Sequence, residues 1–577
     1  MRTFETKIQE LKTAVLTEVA RLTWEDRLQT GTAILDIPEK IIPGPTATLR
    51  CCIYKERAII NSRVKLAMGG DKSNPCLVEV LPIACDECPV TEITVGPSCR
   101  GCLATRCVHA CPKDAITIVN HRACIDHEKC ISCGRCVSAC QYSAILKTQR
   151  PCEKGCPAKA ISMGPDRKAS IDVSQCIACG NCVYQCPFGA IQDKSFITDA
   201  IHMIMGAEHW GYKTYAVLAP SIVGQFAPAS YGQVVAGLKK LGFNGVAEVA
   251  LGADMVADRE SEELVEKGML CSSCCPGFVG YIKKKHPEME NLISRTPSPM
   301  VMIGLHIKEK DPDAKVIFIG PCVAKKKEFQ LGRTMNAIDC ALTYEELFAM
   351  FESRGIDLES LEEAPLDEAS PFGRNFARSG GVAQAVAEAL KEKGLDKEFQ
   401  LKAVPCSGIE ACEVALLKAK RGVLDGNFIE GMACDGGCVQ GAGCLVRSPR
   451  NRMDVEGHAK QASGRSITDA VAGRELVPQD SLGEKVVPVP KPQPKAEAAA
   501  KTEGTAQKAR ASDRTPDAGP GYRSGVRLLF QGGERAGADT ETRRGLLAAP
   551  RSGCARGHSP SASTRMLSVP CSSNSVM

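Results

Sequence analysis

Four cysteines at 130, 133, 136 and 140 follow the spacing C-x2-C-x2-C-x3-C, and no other feature of the sequence limits the fold so strongly. Thiols this close together share an inorganic cluster only if the backbone wraps around it. In the two-cluster form of the motif, the fourth cysteine of each run ligates the other cluster. Cys99, Cys102, Cys107 and Cys111 precede the run. The spacing therefore assigns Cys99, Cys102, Cys107 and Cys140 to one [4Fe–4S] centre, and Cys130, Cys133, Cys136 and Cys111 to a second. Cys176, Cys179, Cys182 and Cys186 repeat the pattern, with Cys156 before Pro157 standing where a returning ligand belongs. Cys156, Cys176, Cys179 and Cys182 thus make a third centre. Cys85, Cys88, Cys152 and Cys186 are left for a fourth; the alternative is three centres with Cys85, Cys88 and Cys152 spare. Of the seventeen cysteines from 85 to 186, only Cys124 then has no role.

A total of 32 cysteines in 577 residues would indicate a disulfide scaffold only in a short secreted chain. The opening Met-Arg-Thr-Phe-Glu-Thr-Lys has no apolar signal core, and no run of ~18 apolar residues offers a membrane span. A reducing, cytoplasmic setting is expected, in which thiols act as ligands or nucleophiles. The net charge of +5 is spread among acidic residues without a basic stripe, so nucleic acid is not expected as a partner. No G-x-G-x-x-G follows a strand, so no nucleotide site is expected either.

Four regions follow from the patterning. In residues 1–84, Ile8, Leu11, Val15, Val19 and Leu22 recur at helical spacing, and Cys51, Cys52 and Cys76 read as core or incidental thiols. Residues 85–200 read as tandem α+β ferredoxin-like domains, with short strands near 115–119 and 144–146 and metal ligation supplying much of the folding energy. Residues 201–450 read as an α/β domain. There the apolar runs Tyr215–Ala219 and Val316–Ile319 end at Pro220 and Gly320 like buried parallel strands, and 231–241, 258–267 and 382–393 have helical periodicity. Residues 451–577 read as linker and disordered tail: 486–495 is Pro-rich, and beyond Lys508 there are ten arginines and no lysine. Cys554 and Cys571 stand alone in that tail.

Three segments of the α/β region carry further cysteines: Cys-Ser-Ser-Cys-Cys-Pro-Gly at 271–277, Gly-Pro-Cys-Val-Ala-Lys at 320–325 and Glu-Gly-Met-Ala-Cys-Asp-Gly-Gly-Cys at 430–438. Adjacent side chains diverge, so Cys274 and Cys275 have different tasks. Cys275, Cys322, Cys434 and Cys438 supply four thiolates for one buried cluster, and Gly436 and Gly437 let the backbone turn tightly around it.

In order and spacing these segments resemble the three signatures of the [FeFe] hydrogenases, and the resemblance spans roughly 80–447. It implies an H-cluster: a [4Fe–4S] cubane on Cys275, Cys322, Cys434 and Cys438, with Cys438 bridging to a diiron subsite that bears CO, cyanide and a dithiolate amine. It implies that Cys274 relays protons and that Glu260 and Glu263 continue the relay, although a glutamate pair at i, i+3 is by itself usually a solvated helix face. Where the family has a relay serine this chain has Ile293, with Ser294 beside it. The resemblance further implies that Lys325 donates to a cyanide, that Ala219, Pro220 and Ser221 line the subsite, and that Met432 packs against it. Gly320, Phe278 and Cys444 depart from the common pattern, and Cys271, Cys406 and Cys412 are extra. The combination is most similar to the group B branch, of the monomeric ferredoxin-domain type. The implied activity is reversible H2 oxidation and proton reduction, with a ferredoxin as electron partner and maturation proteins to install the diiron unit. Two other readings stay open: a hydrogenase-like iron–sulfur assembly protein that keeps only the cubane cysteines, and a slow hydrogen sensor.

Overall fold

A computed structural model describes residues 4–28, 32–89, 92–332, 334 and 336–472. The expected tail after 475, with Cys554 and Cys571, lies outside the described residues. No helix among them is long and apolar enough to cross a membrane.

The chain begins with helices Lys7–Trp24, Ala33–Ile41 and Ile53–Ala67. The first buries Val15, Leu16, Val19 and Leu22 against the third and against the helix Ile197–Trp210. Eight short strands follow: β1 (Val78–Val80), β2 (Glu92–Val95), β3 (Ile116–Val119), β4 (Arg122–Ile125), β5 (Ile145–Thr148), β6 (Ile161–Met163), β7 (Ala169–Ile171) and β8 (Ile191–Asp193). All pair antiparallel, and the pairing is nested: β1 with β8, β2 with β5, β3 with β4, and β6 with β7. The two ferredoxin-like units are therefore not in tandem. One, spanning about 92–148, is inserted into the other between Cys88 and Cys152, which breaks what would otherwise be a continuous cysteine run. Both units wrap the backbone in the same way. Ser132 and Gly134 have φ of 53° and 81°, and Ala178 and Gly180 repeat these at 54° and 78°, flanking Cys133 and Cys179.

The α/β domain contains β9 (Thr214–Leu218), β10 (Gly245–Glu248), β11 (Leu270–Cys271), β12 (Lys315–Ile319), β13 (Cys340–Leu342), β14 (Ala403–Ser407) and β15 (Phe428–Met432). They form two sheets, β10-β9-β12-β13 and β11-β15-β14, and every pairing in both is parallel. This is the expected α/β architecture, preceded by ferredoxin-like units. Capping boxes Ser230/Gln233 and Thr343/Glu346 start the helices Tyr231–Leu241 and Tyr344–Ser353. The helix Val249–Lys267 begins nine residues before the expected 258 and packs chiefly on the helix Pro299–Lys310.

Strands from both sheets point their carboxyl ends at one place. β9 runs into Ala219-Pro220-Ser221, β12 into Gly320-Pro321-Cys322, β11 toward Cys274 and Cys275, and β15 into Cys434. That is where open parallel sheets place their active groups.

Candidate metal centre

Each of the four thiols reaches the centre from its own turn. Cys275 and Cys322 are the N-caps of helices Pro276–Lys285 and Val323–Glu328, and Pro276 fits the first helical position because it has no N–H to waste. Cys434 follows β15, and Gly437, at φ 95°, leads the backbone back to Cys438. The four thiols lie within electrostatic reach of one another. Burial pushes Cys322 up to about 12 and Cys434 and Cys438 well above the thiol range, and the neighbouring thiols raise each further. All four are deep in the protein yet keep some accessible surface, as side chains lining an internal space do. Among the described residues no three His, Cys, Asp or Glu side chains converge tightly enough for a single metal ion. Four thiols in mutual electrostatic reach suit a polynuclear cluster, and Ala433 donates its N–H to Cys275 Sγ at 3.4 Å.

Cys179 of the third accessory set lies beside this quartet and interacts with Cys275 and Cys434. A Cβ placed on Gly277 would stand 3.8 Å from Cys275 Sγ and 4.0 Å from Cys179 Cβ. Gly180 has a Cβ position only 2.7 Å from Ala442 and 2.8 Å from Val323, so the third set's loop presses on the residue next to Cys322.

The accessory cysteines lie in local groups. Cys107 lies near Cys102 and Cys140, and Cys136 near Cys130 and Cys133, while Cys99 and Cys111 share the same small core. Cys182 lies near Cys179 and Cys156, and Cys176 near Cys182. Cys152 faces Cys186, Cys85 and Cys88. A recurrent N–H···S bond from the residue four positions on closes each unit: Ala115 to Cys111, Ala144 to Cys140, Ala160 to Cys156 and Ala190 to Cys186, at 3.2–3.4 Å. Such bonds to sulfur tune cluster potentials. Cys76, read above as a core or incidental thiol, is buried and hydrogen-bonded to Cys176.

Cys274 lies beside the quartet and interacts with Cys275 and Cys438. Its Sγ lies 3.9 Å from Ser272 Oγ. Burial and then Cys275 and Glu260 push it well above the thiol range, so it rests as S–H rather than near neutrality. Glu260 and Glu263 are not a solvated face; both are buried. Glu260 Oε1 accepts from the Ser273 N–H at 3.2 Å and Ser273 Oγ at 3.3 Å, and burial raises its carboxyl to about 7. Ser294 adjoins Glu260 and donates to Glu263 Oε2 at 2.9 Å. Burial alone would raise Glu263, but Lys267 and the Arg295 N–H overrule it and hold it below its usual range. Lys267 and Arg295 bring this line to the surface. Ser294, next to Ile293, is the hydroxyl that meets Glu263, a placement set by a loop 31 residues away and invisible to local pattern.

Lys325 is buried, interacts with Cys322 and Cys274, and pairs with Glu328 at 2.7 Å, a partner not expected from sequence. Met432 is buried, and its carbonyl accepts from Cys412 Sγ at 3.8 Å. Ala219 lies under the same roof, and its carbonyl accepts from Tyr344 Oη at 3.3 Å. With that proton committed, Ser221 donates its own to Tyr344 at 2.7 Å, so its hydroxyl positions Tyr344 and the Ala219-Pro220 turn rather than facing the central space.

Fold and centre together define an iron–sulfur protein: a parallel-sheet domain holding one thiol quartet, fed by nested ferredoxin-like units. Residues 212–442 match the family described as iron only hydrogenase large subunit, C-terminal domain; 146–197 match the LdpA Fe-S cluster-binding domain, and 123–146 a 4Fe-4S binding domain. The chain therefore carries an iron-only hydrogenase large-subunit domain together with iron–sulfur-binding domains. It is 29% identical to iron hydrogenase 1 of Clostridium pasteurianum over 293 residues, covering 41% of this chain and 51% of that protein. It is 27% identical to cytosolic iron-sulfur assembly component 3 of Pongo abelii over 260 residues, covering 37% and 53%. An apo [FeFe]-hydrogenase structure from Chlamydomonas reinhardtii aligns with TM-score 0.41 and 20% identity, covering 50% of this chain and 97% of that one. The chain spans about half the length of the curated relatives it matches.

Proposed function

We propose that the protein is an [FeFe] hydrogenase of the group B kind, interconverting H2 with protons and electrons at an H-cluster. Cys275, Cys322, Cys434 and Cys438 would hold its cubane, and Cys438 would bridge to the diiron unit that maturation proteins install. When bound, that cluster supplies the site at which hydrogen is cleaved heterolytically or protons are reduced, and the protein supplies orientation and proton traffic. Cys274 holds a proton on Sγ at the edge of the site. Glu260, poised near neutrality, takes it at a carboxylate oxygen, Ser294 passes it on, and Glu263 delivers it beside Lys267 and Arg295. A carboxyl tuned to the working pH is what proton transfer favours. Lys325 holds a positive charge against the site, Ala219, Pro220 and Met432 wall it, and Ser221 braces that wall through Tyr344. Electrons leave through the third accessory set, whose Cys179 lies beside Cys275, and pass through the ferredoxin-like units to a soluble carrier such as a ferredoxin.

One observation supports the reading: buried Glu260 and Glu263, with Ser294 bonded to Glu263, lie between the neighbourhood of Cys274 and the surface residues Lys267 and Arg295. A scaffold that only stores or transfers a cubane needs the four thiols but not those carboxyls. The similarity to cytosolic iron-sulfur assembly component 3 supports the second reading, an assembly protein without a diiron unit. Infrared spectroscopy of the matured protein separates the two. Bands of metal-bound CO and cyanide with hydrogen-dependent dye reduction are expected; absence of both after competent maturation leaves the assembly reading.

A further inference from the structure

Two arginines near the start of the electron path are buried without an anion. Arg63, on the helix Ile53–Ala67, and Arg150, at the start of the short helix Pro151–Lys154, are 4% and 2% exposed. Arg63 donates from Nη2 to the Gly189 carbonyl, and Arg150 from Nη2 to the Arg167 carbonyl. In both, Nε and Nη1 have no partner and no access to solvent. Among the described residues neither pairs with a carboxylate, whereas nearby Arg50 is neutralised by Asp86 and Glu87. A buried cation left without a countercharge is among the most expensive arrangements a fold can contain. Each guanidinium calls for an anionic group nearby.

Both arginines face one set of thiols. Arg63 interacts with Cys186 and Arg150 with Cys88, and Cys85, Cys88, Cys152 and Cys186 interact among themselves; Glu153 acts on Cys88 and Cys152 with the opposite sign, one carboxylate against two guanidinium groups. A cubane carried on four thiolates is an anion, and placed there it would answer both guanidinium groups. Arg122 by Cys99 and Lys284 by the Cys176 carbonyl are exposed and therefore screened, and buried Lys194, which acts on Cys76 beside Cys176, is neutralised by Glu79 at 3.1 Å. Reduction adds one electron and one negative charge, breaks no bond and moves no atom between groups. Buried positive charge favours the reduced form, and does so more strongly in a low-dielectric interior than at the surface.

We propose that Cys85, Cys88, Cys152 and Cys186 hold a fourth accessory [4Fe–4S] cluster for which Arg63 and Arg150 are the built-in countercharge, making it the accessory centre of highest potential. It adjoins the third set, since Cys152 neighbours Cys182. The inserted ferredoxin-like unit leaves and rejoins the chain beside its ligands Cys88 and Cys152. Electrons passed from the reduced third centre would therefore come to rest at this junction. The inference rests on the iron–sulfur part of the reading above and is independent of the diiron unit.

Anaerobically reconstituted full-length protein without the diiron unit is sufficient for the test. Iron analysis of the wild type should give about twenty irons per chain, five cubanes; about sixteen overturns the inference while leaving the quartet and the hydrogenase reading standing. In EPR-monitored titrations with dithionite, Arg63→Met and Arg150→Met should each move the highest-potential signal to lower potential and leave the others in place. Arg63→Lys and Arg150→Lys should keep it near the wild-type position. Loss of about four irons in the Met variants but not the Lys variants also supports a countercharge. Unmoved potentials at full iron content overturn it. Cys152→Ser, measured separately, should abolish the highest-potential signal, and loss of a different signal instead overturns the assignment.

Discussion

Glu260 has a serine amide and hydroxyl on one oxygen, no hydrogen-bond partner for the other, and no cation beside it, so burial is left to set its protonation. Its folded value of about 7 lies above its ordinary 4.5, so the folded state binds the proton more tightly. Its contribution to stability is then fully present below the unfolded value and is lost as pH rises through 7. Glu260→Gln should remove that loss: the variant's melting temperature, relative to the wild type, should rise between about pH 5 and 8. A parallel pH dependence in both proteins would show that the carboxyl is already ionised in the fold. At Cys274 the expectation concerns rate. Cys274→Ala should leave iron content and any CO and cyanide bands unchanged and lower hydrogen turnover by roughly 10²-fold or more, measured by dye reduction. Undiminished turnover would place the proton route elsewhere. The thiols stood out in the sequence because cluster chemistry restricts their spacing, whereas Lys325 was singled out only by the family resemblance. The state of the glutamates was not: i, i+3 carboxylates look alike whether a helix faces water or another helix, and Ser294 arrives from a distant loop.

At the scale of elements, the helix Lys7–Trp24, β8 and the helices Val323–Glu328 and Tyr344–Ser353 are tied by one buried ionic network. Lys326 Nζ lies 2.7 Å from Asp193 Oδ2 and 2.8 Å from Glu346 Oε2, and Lys12 Nζ lies 2.7 Å from Asp193 Oδ1 and 2.6 Å from Glu345 Oε2. Lys326 stands next to Lys325, so the ferredoxin-like strand β8 is anchored to the element that carries Cys322. Lys326→Met should leave buried Glu346 without a cation and Asp193 with Lys12 alone, and cost about 3–5 kcal/mol, read by denaturant unfolding of the anaerobic protein; a loss under about 1 kcal/mol would mean the network relaxes into solvent. Strands β9 and β12 were readable from sequence because strands covered on both faces are continuous apolar runs. The first half of the helix Val249–Lys267 was not. From Val249 to Ala257 it is buried on nearly all sides, so no polar face marks its period.

Across the whole molecule, the order of cysteines contained the nesting without displaying it. Cys85 and Cys88 could be paired with Cys152 and Cys186 by elimination, yet only strand pairing shows that a complete unit sits between them. Within that unit Glu92 is the antiparallel partner of Thr148, so the inserted segment begins and ends at neighbouring points. Replacing residues 92–148 with a short Gly/Ser linker should therefore leave a folded protein that has lost about eight irons, two cubanes, and keeps the remaining signals. Iron analysis and EPR would check this, and loss of all accessory signals would show that the outer unit cannot close alone. The same paired ends make the insert a cartridge. A lineage could exchange it for another redox module, and so change the currency in which the protein trades electrons, without disturbing a residue at the site where protons are handled.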